Sequence, residues 1–318
     1  MSEHPLRQIE AGSMSYRIAE AGSGPLVVLL HGFPESWYSW RHQVGYLASA
    51  GYHVVAPDMR GYGGTSKPDD IDAYDQVELA GDVATIIEAL GESSAVVIGH
   101  DWGAPVAWNT ASLHPERVRA VGALSVPYRP RGTSPPLPGL KKLYGDRFFY
   151  QLYFQTPGVA ESEFEADVRG CLRKFIYLAS GDSPPQPVML QKVKGDQLCT
   201  DLIDPDPLPT WLSEEDLDYY VNEFSTNGFR GPLNWYRNLD RSWSRTEHLT
   251  GHKIQQPALF VAGEDDLVIK FWPNALEVMQ ENVNELRTLE LLPTCGHWTQ
   301  QERPDDTNKL LREFLDGL

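Results

Sequence analysis

The feature that most constrains this chain is the stretch 94–105, SAVVIGHDWGAP, where a short apolar run meets a tight turn. Residues 95–98 predict a buried strand, and Asp101 follows with Gly99 and Gly103 two residues away on either side. This spacing is typical of a nucleophile elbow, a sharp strand-to-helix turn that leaves no room for bulk beside the nucleophile. An Asp at its centre can attack carbon and form an alkyl ester on the protein. The same stretch also fits an ordinary turn whose Asp caps the next helix. Other motifs in the chain are needed to distinguish the two interpretations.

Strand-like and helix-like patterns alternate through most of the chain. Residues 6–18 predict an antiparallel pair that turns at Gly12, and further apolar runs predict strands at 26–30, 52–56, 95–98, 120–124, 257–262 and 286–292. A helix carrying Trp37, Trp40, Val44 and Leu47 is predicted after the strand at 26–30, another after the capping pattern of Asp75 and Glu78, and a last one after Pro304. Alternation of this kind predicts a mostly parallel sheet of eight strands, covered by helices on both faces.

The alternation stops after residue 124. Five prolines fall within 127–138, which no helix or central strand would accept, and only helical periodicity follows to about residue 245. One predicted stripe consists of Phe164, Val168, Leu172, Phe175 and Ile176, and Ser213 with Asp216 predicts the start of another helix. We therefore predict a core domain from residues 1–128 and 246–318, with an all-helical lid from residues 129–245 inserted into it.

Polar side chains follow several of the predicted strands, at the sheet edge where such folds collect their catalytic groups. Asp101 follows the strand at 95–98, and His297 follows the last strand. The strand at 257–262 is followed by Glu264, Asp265 and Asp266, whereas no carboxylate closely follows the strand at 120–124. The order nucleophile, acid, histidine is that of α/β-hydrolases, although these patterns leave the acid open among the three carboxylates.

Together these motifs resemble the soluble epoxide hydrolases of the α/β-hydrolase fold. The resemblance spans nearly the whole chain and rests on residues 31–34 (HGFP), 99–103 (GHDWG), 150–155 (YQLYFQ), 234–238 (NWYRN), Asp266 and 296–298 (GHW). It implies that Tyr150 and Tyr236 are paired lid tyrosines that hold the epoxide oxygen, and that Asp266 orients His297. It also implies a cis peptide bond before Pro34.

The implied reaction converts an epoxide to a vicinal diol through a covalent intermediate on Asp101. His297 would activate the water that hydrolyses this ester, and the backbone N–H groups of Phe33 and Trp102 would form the oxyanion hole. The two phenols would donate to the alkoxide that develops on the epoxide oxygen. Ordinary side chains suffice for each step, so neither a cofactor nor a metal is expected. Tyr153 is an alternative to Tyr150, since residues three apart on a helix share roughly one face.

A haloalkane dehalogenase is the alternative function, because that class also uses an elbow Asp, a following Trp and a histidine-activated water. A departing halide needs no proton donor, so a tyrosine pair would have no purpose in such an enzyme. A non-enzymatic module on the same fold would have no use for the nucleophile, acid, histidine and phenols together. The residues therefore favour an epoxide hydrolase.

Composition limits the partners and the compartment. The formal net charge is −17, which argues against nucleic acid or an anionic membrane as a partner and leaves a small apolar epoxide and water. No apolar run is long enough to span a bilayer and the first ten residues lack a signal region. The three cysteines, Cys171, Cys199 and Cys295, lie far apart in no metal-ligand spacing, which indicates a reduced, cytoplasmic protein. The sequence leaves open whether the chain forms a homodimer.

Overall fold

Eight strands form one mixed sheet in the computed structural model, which describes residues 4–318. Residues 1–3, the start of the predicted core domain, lie outside the described residues. In chain order the strands are β1 (Leu6–Ala11), β2 (Met14–Ala21), β3 (Leu26–Leu30), β4 (His53–Pro57), β5 (Ala95–His100), β6 (Val118–Leu124), β7 (Ile254–Gly263) and β8 (Val283–Leu292). Across the sheet the order is β1-β2-β4-β3-β5-β6-β7-β8, with β2 antiparallel to both of its neighbours and all other pairs parallel. The predicted eight-stranded, mostly parallel sheet is confirmed.

Helices fill the connections between these strands. They are α1 (Arg41–Ser49), α2 (Gln76–Ala89), α3 (Gly103–Leu113), α4 (Pro136–Tyr144), α5 (Tyr150–Tyr153), α6 (Val159–Ala166), α7 (Val168–Leu178), α8 (Val188–Gln191), α9 (Glu214–Asn227), α10 (Arg230–Arg237), α11 (Leu239–Arg245), α12 (Leu267–Phe271), α13 (Ala275–Asn282), α14 (Thr299–Glu302) and α15 (Pro304–Asp316). Short 3-10 helices lie at Trp37–Trp40, Ile71–Tyr74 and Glu247–Leu249. No helix in residues 4–318 combines the length and the apolar character needed to cross a membrane.

Both faces of the sheet are covered, as β3 illustrates. Val28 packs in one apolar cluster with Val83 of α2 and Val106 of α3. Its neighbour Val27 points to the opposite face and packs in a second cluster with Val44 of α1. Alternate residues of a strand face opposite sides, so a continuous apolar run is what a strand buried on both sides requires.

Helices α4 to α11 all lie in the chain between β6 and β7, in the segment that the sequence predicts to be a lid. The predicted single stripe from Phe164 to Ile176 is wrong in one respect, because it is divided between α6 and α7. Asp167 breaks the helix with an extended φ of −149° and then caps α7 by accepting from the Gly170 N–H. The predicted cap of α9 is confirmed, since Ser213 and Asp216 form a reciprocal capping box.

Charged and polar contacts hold the lid segment against the sheet. Arg17 of β2 bridges Asp58 of the core and Glu223 of α9, at 2.5 and 2.7 Å. On α10 the Trp235 indole donates to the Arg60 carbonyl at 3.1 Å. These contacts fix α10, which carries one of the predicted lid tyrosines, relative to the strand ends.

Candidate active site

Asp101 occupies a strained turn between β5 and α3. Its φ is +49°, in the left-handed region that non-glycine residues rarely adopt. A Cβ on Gly99 would lie 2.0 Å from the Gly103 carbonyl oxygen, and one on Gly103 would lie 2.1 Å from the Leu30 carbonyl oxygen. Both positions therefore need glycine, and the tight turn holds the Asp101 carboxylate at the carboxyl end of the central strands.

His297 lies between two carboxylates. Its Nε2 is 3.2 Å from Asp101 Oδ2, and its Nδ1 is 3.1 and 3.2 Å from the two carboxylate oxygens of Asp266. Asp266 is fully buried and also accepts from the Val268 N–H at 2.8 Å, as the cap of α12. The three residues come from turns that follow β5, β7 and β8, and the fold brings them into one contiguous row.

Of the three carboxylates after β7, Asp266 is the one that faces His297. Asp265 instead pairs with Lys270 at 2.8 Å on the surface, and Glu264 is exposed. At the end of β6, where the sequence offers no acid, the buried Ser125 hydroxyl donates to the His297 carbonyl oxygen at 2.6 Å. The end of β6 therefore supports the backbone of the histidine.

The pKa values of Asp101 and His297 are shifted more by their charged and hydrogen-bonding neighbours than by burial. Burial alone would raise the pKa of Asp101, but His297, His100 and the Phe33 N–H outweigh it and lower the pKa. Burial alone would lower the pKa of His297, but Asp266 and Asp101 outweigh it and hold the pKa well above its usual range. The two directions agree, and they describe an ionised Asp101 facing a protonated His297.

The Phe33 N–H points at the Asp101 carboxylate and donates to its Oδ1 at 2.7 Å. The peptide bond between Phe33 and Pro34 is cis, which confirms that expectation. The Phe33 ring meets the lid edge-to-face, with centroids 5.7 Å from Phe154 and 5.6 Å from Tyr236. The surroundings of the carboxylate are therefore aromatic, apart from the few groups that donate to it.

The lid brings Tyr150 and Tyr236 together, although 86 residues separate them in the chain. Their rings lie 5.9 Å apart and nearly perpendicular, and Tyr236 also packs edge-on against Trp102 at 5.0 Å. The Gln155 amide joins the two segments by donating to the backbone carbonyls of Gln151 and Tyr236, at 2.7 and 2.9 Å. The two lid motifs thus form one unit beside the elbow.

Both phenols are held in their neutral form. Burial and the nearby Asp101 charge raise the pKa of Tyr150 and the pKa of Tyr236. A neutral phenol can donate a hydrogen bond and then a proton, so the environment suits proton donation at this edge of the site.

Tyr153, the alternative to Tyr150, has a different partner. Its hydroxyl donates to Glu163 Oε2 at 2.7 Å, whereas the Tyr150 hydroxyl accepts from the Gln151 amide at 3.1 Å. The Asp101 charge acts on Tyr150, and Glu163 acts on Tyr153. The two tyrosines therefore face different groups despite being one helical turn apart.

Behind the elbow lies a buried pair that the sequence did not predict, Glu35 and His100. Glu35 Oε2 lies 2.8 Å from His100 Nδ1, and His100 Nε2 lies 2.7 Å from the His297 carbonyl oxygen. Glu35 also accepts from the Gly32 N–H and, at 3.1 Å each, from the side-chain amides of Gln300 and Gln301. Glu35 therefore connects the turn after β3, His100 and α14.

Both ring nitrogens of His100 therefore lie against oxygen atoms. The ring pairs with Glu35 and holds the backbone of His297, and it is one of the groups that lower the pKa of Asp101. The signal in the sequence was position alone: His100 directly precedes Asp101, and Glu35 directly follows Pro34.

Comparison with protein families and curated proteins agrees with this geometry. Residues 25–158 match the family model described as the alpha/beta hydrolase fold. The chain is 45% identical to epoxide hydrolase A of Mycobacterium tuberculosis, over 98% of this chain and 97% of that protein. It is 42% identical to bifunctional epoxide hydrolase 2 of Sus scrofa, over 93% of this chain and 52% of that longer protein.

Solved structures give the same result. An epoxide hydrolase from an endophytic Streptomyces superposes with a TM-score of 0.96 at 44% identity, covering 100% of this chain and 96% of the other. Epoxide hydrolase A from Mycobacterium thermoresistibile superposes with a TM-score of 0.92 at 46% identity, covering 99% of both chains.

Proposed function

This chain belongs to the epoxide hydrolases of the α/β-hydrolase fold, and from that premise we propose how its own residues open an epoxide. Asp101 attacks an epoxide carbon, forming a carbon–oxygen bond as the ring carbon–oxygen bond breaks. Tyr150 and Tyr236 hydrogen-bond to the oxygen that becomes the alkoxide, and one of them gives it a proton. The product of this step is an alkyl ester of Asp101.

The ester is then hydrolysed by water. His297, oriented by Asp266, takes a proton from the water, and the resulting hydroxide attacks the ester carbonyl of Asp101. The backbone N–H groups of Phe33 and Trp102 stabilise the oxyanion; the present bond from Phe33 to Asp101 Oδ1 supports this role. Collapse breaks the bond between the carbonyl carbon and the ester oxygen. Of the two protons of the water, one protonates that departing oxygen and the other restores the phenol, so that the vicinal diol and ionised Asp101 are released.

The observation that carries this proposal is the pair of neutral phenols beside the nucleophile. Tyr150 and Tyr236 lie with ring centroids 5.9 Å apart, and burial together with the Asp101 charge raises the pKa of each. Expulsion of an alkoxide needs a proton donor, whereas expulsion of a halide does not. The pair therefore supports epoxide opening over dehalogenation.

The experiment is a product assay with two epoxides and one haloalkane. We expect the unmodified protein to form diol from styrene oxide or trans-stilbene oxide and to release no halide from 1-bromobutane. The Asp101→Asn control, assayed directly after purification, should form no diol. Halide release without diol formation would overturn the proposed function.

We further propose that the substrate is a small apolar epoxide and that the protein works in a reducing, cytoplasmic compartment. The aromatic surroundings of Phe33 support the first statement, since they would exclude a strongly charged substrate. The three thiols are buried and unpaired, which supports the second.

The proposed division of the chain places the core at residues 1–128 and 246–318 and the lid at 129–245. The helices between β6 and β7, and the lid-to-core contacts of Arg17 and Trp235, support these boundaries.

A further inference from the structure

A second cluster of ligand-type side chains lies in the lid, among residues that the proposed reaction does not use. Glu163 of α6, Cys171 of α7 and Cys199 of the segment before α9 each offer one ligand atom, and these three atoms lie within 4.8 Å of one another. The three residues are 7, 6 and 4% exposed. The two cysteines are 28 residues apart in the chain, so their spacing predicts no site and only the folded lid brings them together.

The Glu163 carboxylate is held by neutral donors. Its Oε2 accepts from the Tyr153 hydroxyl at 2.7 Å and the Leu198 N–H at 3.0 Å, and its Oε1 accepts from the Cys199 N–H at 2.7 Å. An ionised carboxylate offers about four acceptor positions, so one on Oε1 remains available. Within residues 4–318 no lysine or arginine forms an ion pair with Glu163. A buried carboxylate in this state favours the addition of positive charge.

The two thiol sulfurs lie within 4.8 Å of each other and of a Glu163 carboxylate oxygen, and each also contacts a backbone carbonyl. The Cys171 thiol contacts the Glu163 carbonyl oxygen at 3.7 Å, and the Cys199 thiol contacts the Cys171 carbonyl oxygen at 3.9 Å. A divalent cation at the centre of the cluster would attract each of these groups in its ionised form.

We propose that Glu163, Cys171 and Cys199 form a binding site for one thiophilic divalent cation of the Zn²⁺ class. Two thiolates and a carboxylate are ligands that this class of ion takes, and water completes a tetrahedral set. Binding breaks two S–H bonds, forms two metal–sulfur bonds and releases two protons, with no change of oxidation state. The ligands contribute three negative charges against the two positive charges of the ion.

The site would join three separate parts of the lid. An ion there links α6, α7 and the segment around Cys199, and through Glu163 it reaches Tyr153 of α5, the helix that begins at Tyr150. A surface pocket of about 480 Å³ is lined in part by Gln197 and Thr200, which flank Cys199 in the chain. Occupancy should therefore stabilise the lid.

Cadmium is the probe, because its bonds to thiolate absorb in the ultraviolet. The reduced, metal-free full-length protein is titrated with Cd²⁺ under argon, and we expect the absorption to saturate at one equivalent and to fall when excess Zn²⁺ is added. Cys171→Ala and Cys199→Ala should each lose much of the absorption and bind Cd²⁺ at least about 100-fold more weakly, a larger effect than loss of an outer-sphere partner. Circular dichroism of each variant checks its folding.

Cys295→Ala is the matched control, since Cys295 is also buried and unpaired but lies outside the cluster. It should bind Cd²⁺ as the unmodified protein does. Absence of the absorption in the unmodified protein would overturn the site, and so would full absorption in Cys171→Ala or its loss in Cys295→Ala. As a second measurement, Cd²⁺ should raise the melting temperature of the unmodified protein and leave that of Cys171→Ala unchanged.

Discussion

The Nε2 atom of His297 lies 3.2 Å from Oδ2 of Asp101, so the proposed base and nucleophile form an ion pair before any substrate is bound. Each raises or lowers the pKa of the other in the direction that keeps both charged. A protonated imidazole cannot take a proton from water. The reaction must therefore free the base, and ester formation does so by removing the charge of Asp101, one of the groups that raise the pKa of His297.

The two half-reactions should consequently respond differently to pH. Alkylation needs ionised Asp101, whose pKa is lowered, so its rate should stay constant as the pH falls from 8 into the acidic range. Hydrolysis needs neutral His297, so its rate should rise as the pH rises through the pKa of His297 in the alkyl-enzyme. Stopped-flow tryptophan fluorescence can follow the two steps separately. Loss of both rates at one common pH would contradict this account.

Replacement of His297 by Gln should stop the reaction at the ester. The proposed attack uses Asp101 and the phenols, whereas hydrolysis needs the imidazole, so a covalent adduct should accumulate. Mass spectrometry of a digest should find the added mass on the peptide containing Asp101. An inactive variant without any adduct would instead place His297 in the first step.

A neighbouring pair of carboxylates is the control for that assignment. Asp266→Asn should slow hydrolysis, because Asp266 is the carboxylate that faces His297 Nδ1. Asp265→Asn should change it little, since Asp265 pairs with Lys270 at the surface.

The lid phenols should be individually important and jointly essential. Loss of one hydrogen bond to a developing alkoxide should cost about 2.7–4 kcal/mol, so Tyr150→Phe and Tyr236→Phe should each slow alkylation about 10²–10³-fold. The double variant should not alkylate, because no donor is left for the alkoxide. Pre-steady-state alkylation rates measure these effects.

Tyr153→Phe is the matched control, because it removes a hydroxyl that donates to Glu163. Its alkylation rate should stay within a few-fold of the unmodified protein. A double Tyr150→Phe/Tyr236→Phe variant that alkylates at the unmodified rate would contradict the assignment of both phenols.

Glu35 should matter for stability because four groups behind the elbow contact its carboxylate. Glu35→Ala leaves the His100 ring, the Gly32 N–H and the amides of Gln300 and Gln301 without this partner, and should lower the free energy of unfolding by about 3–5 kcal/mol, measured by urea denaturation. Asp265→Asn breaks an exposed pair and should cost no more than about 1 kcal/mol. Equal losses in the two variants would show that the buried contacts of Glu35 stabilise the fold no more than an exposed pair does.

The features that could be predicted from the sequence are those that neighbouring residues determine. The continuous apolar run of β3 and the glycines flanking Asp101 restrict the backbone locally, so the strand and the elbow follow from them. The division between α6 and α7 was missed because Asp167 does not interrupt the spacing of apolar residues; its capping bond to Gly170 determines the break. The spacing of apolar residues does not indicate such a hydrogen bond.

The features that could not be predicted depend on contacts between distant residues. Tyr150 and Tyr153 are three residues apart, so the sequence pattern places both on roughly one helix face. Only the hydrogen bond from Tyr153 to Glu163 in the folded lid shows that the two hydroxyls have different partners. His100 differs from an ordinary buried histidine in its contacts with Glu35 and with the His297 carbonyl oxygen. These partners are 65 and 197 residues away in the chain. A single sequence shows the residue types but not these pairings.

The covalent ester on Asp101 is the central claim, and one isotope experiment tests it most directly. A single turnover is run in ¹⁸O-water with enzyme in excess over a radiolabelled epoxide, and the diol is analysed by mass spectrometry. Because water attacks the carbonyl of the Asp101 ester, one carboxylate oxygen passes to the diol and the label stays on the enzyme. The account predicts a first-turnover diol that is essentially free of ¹⁸O. A fully labelled first-turnover diol would mean that water attacks the epoxide directly, and the covalent mechanism would be wrong.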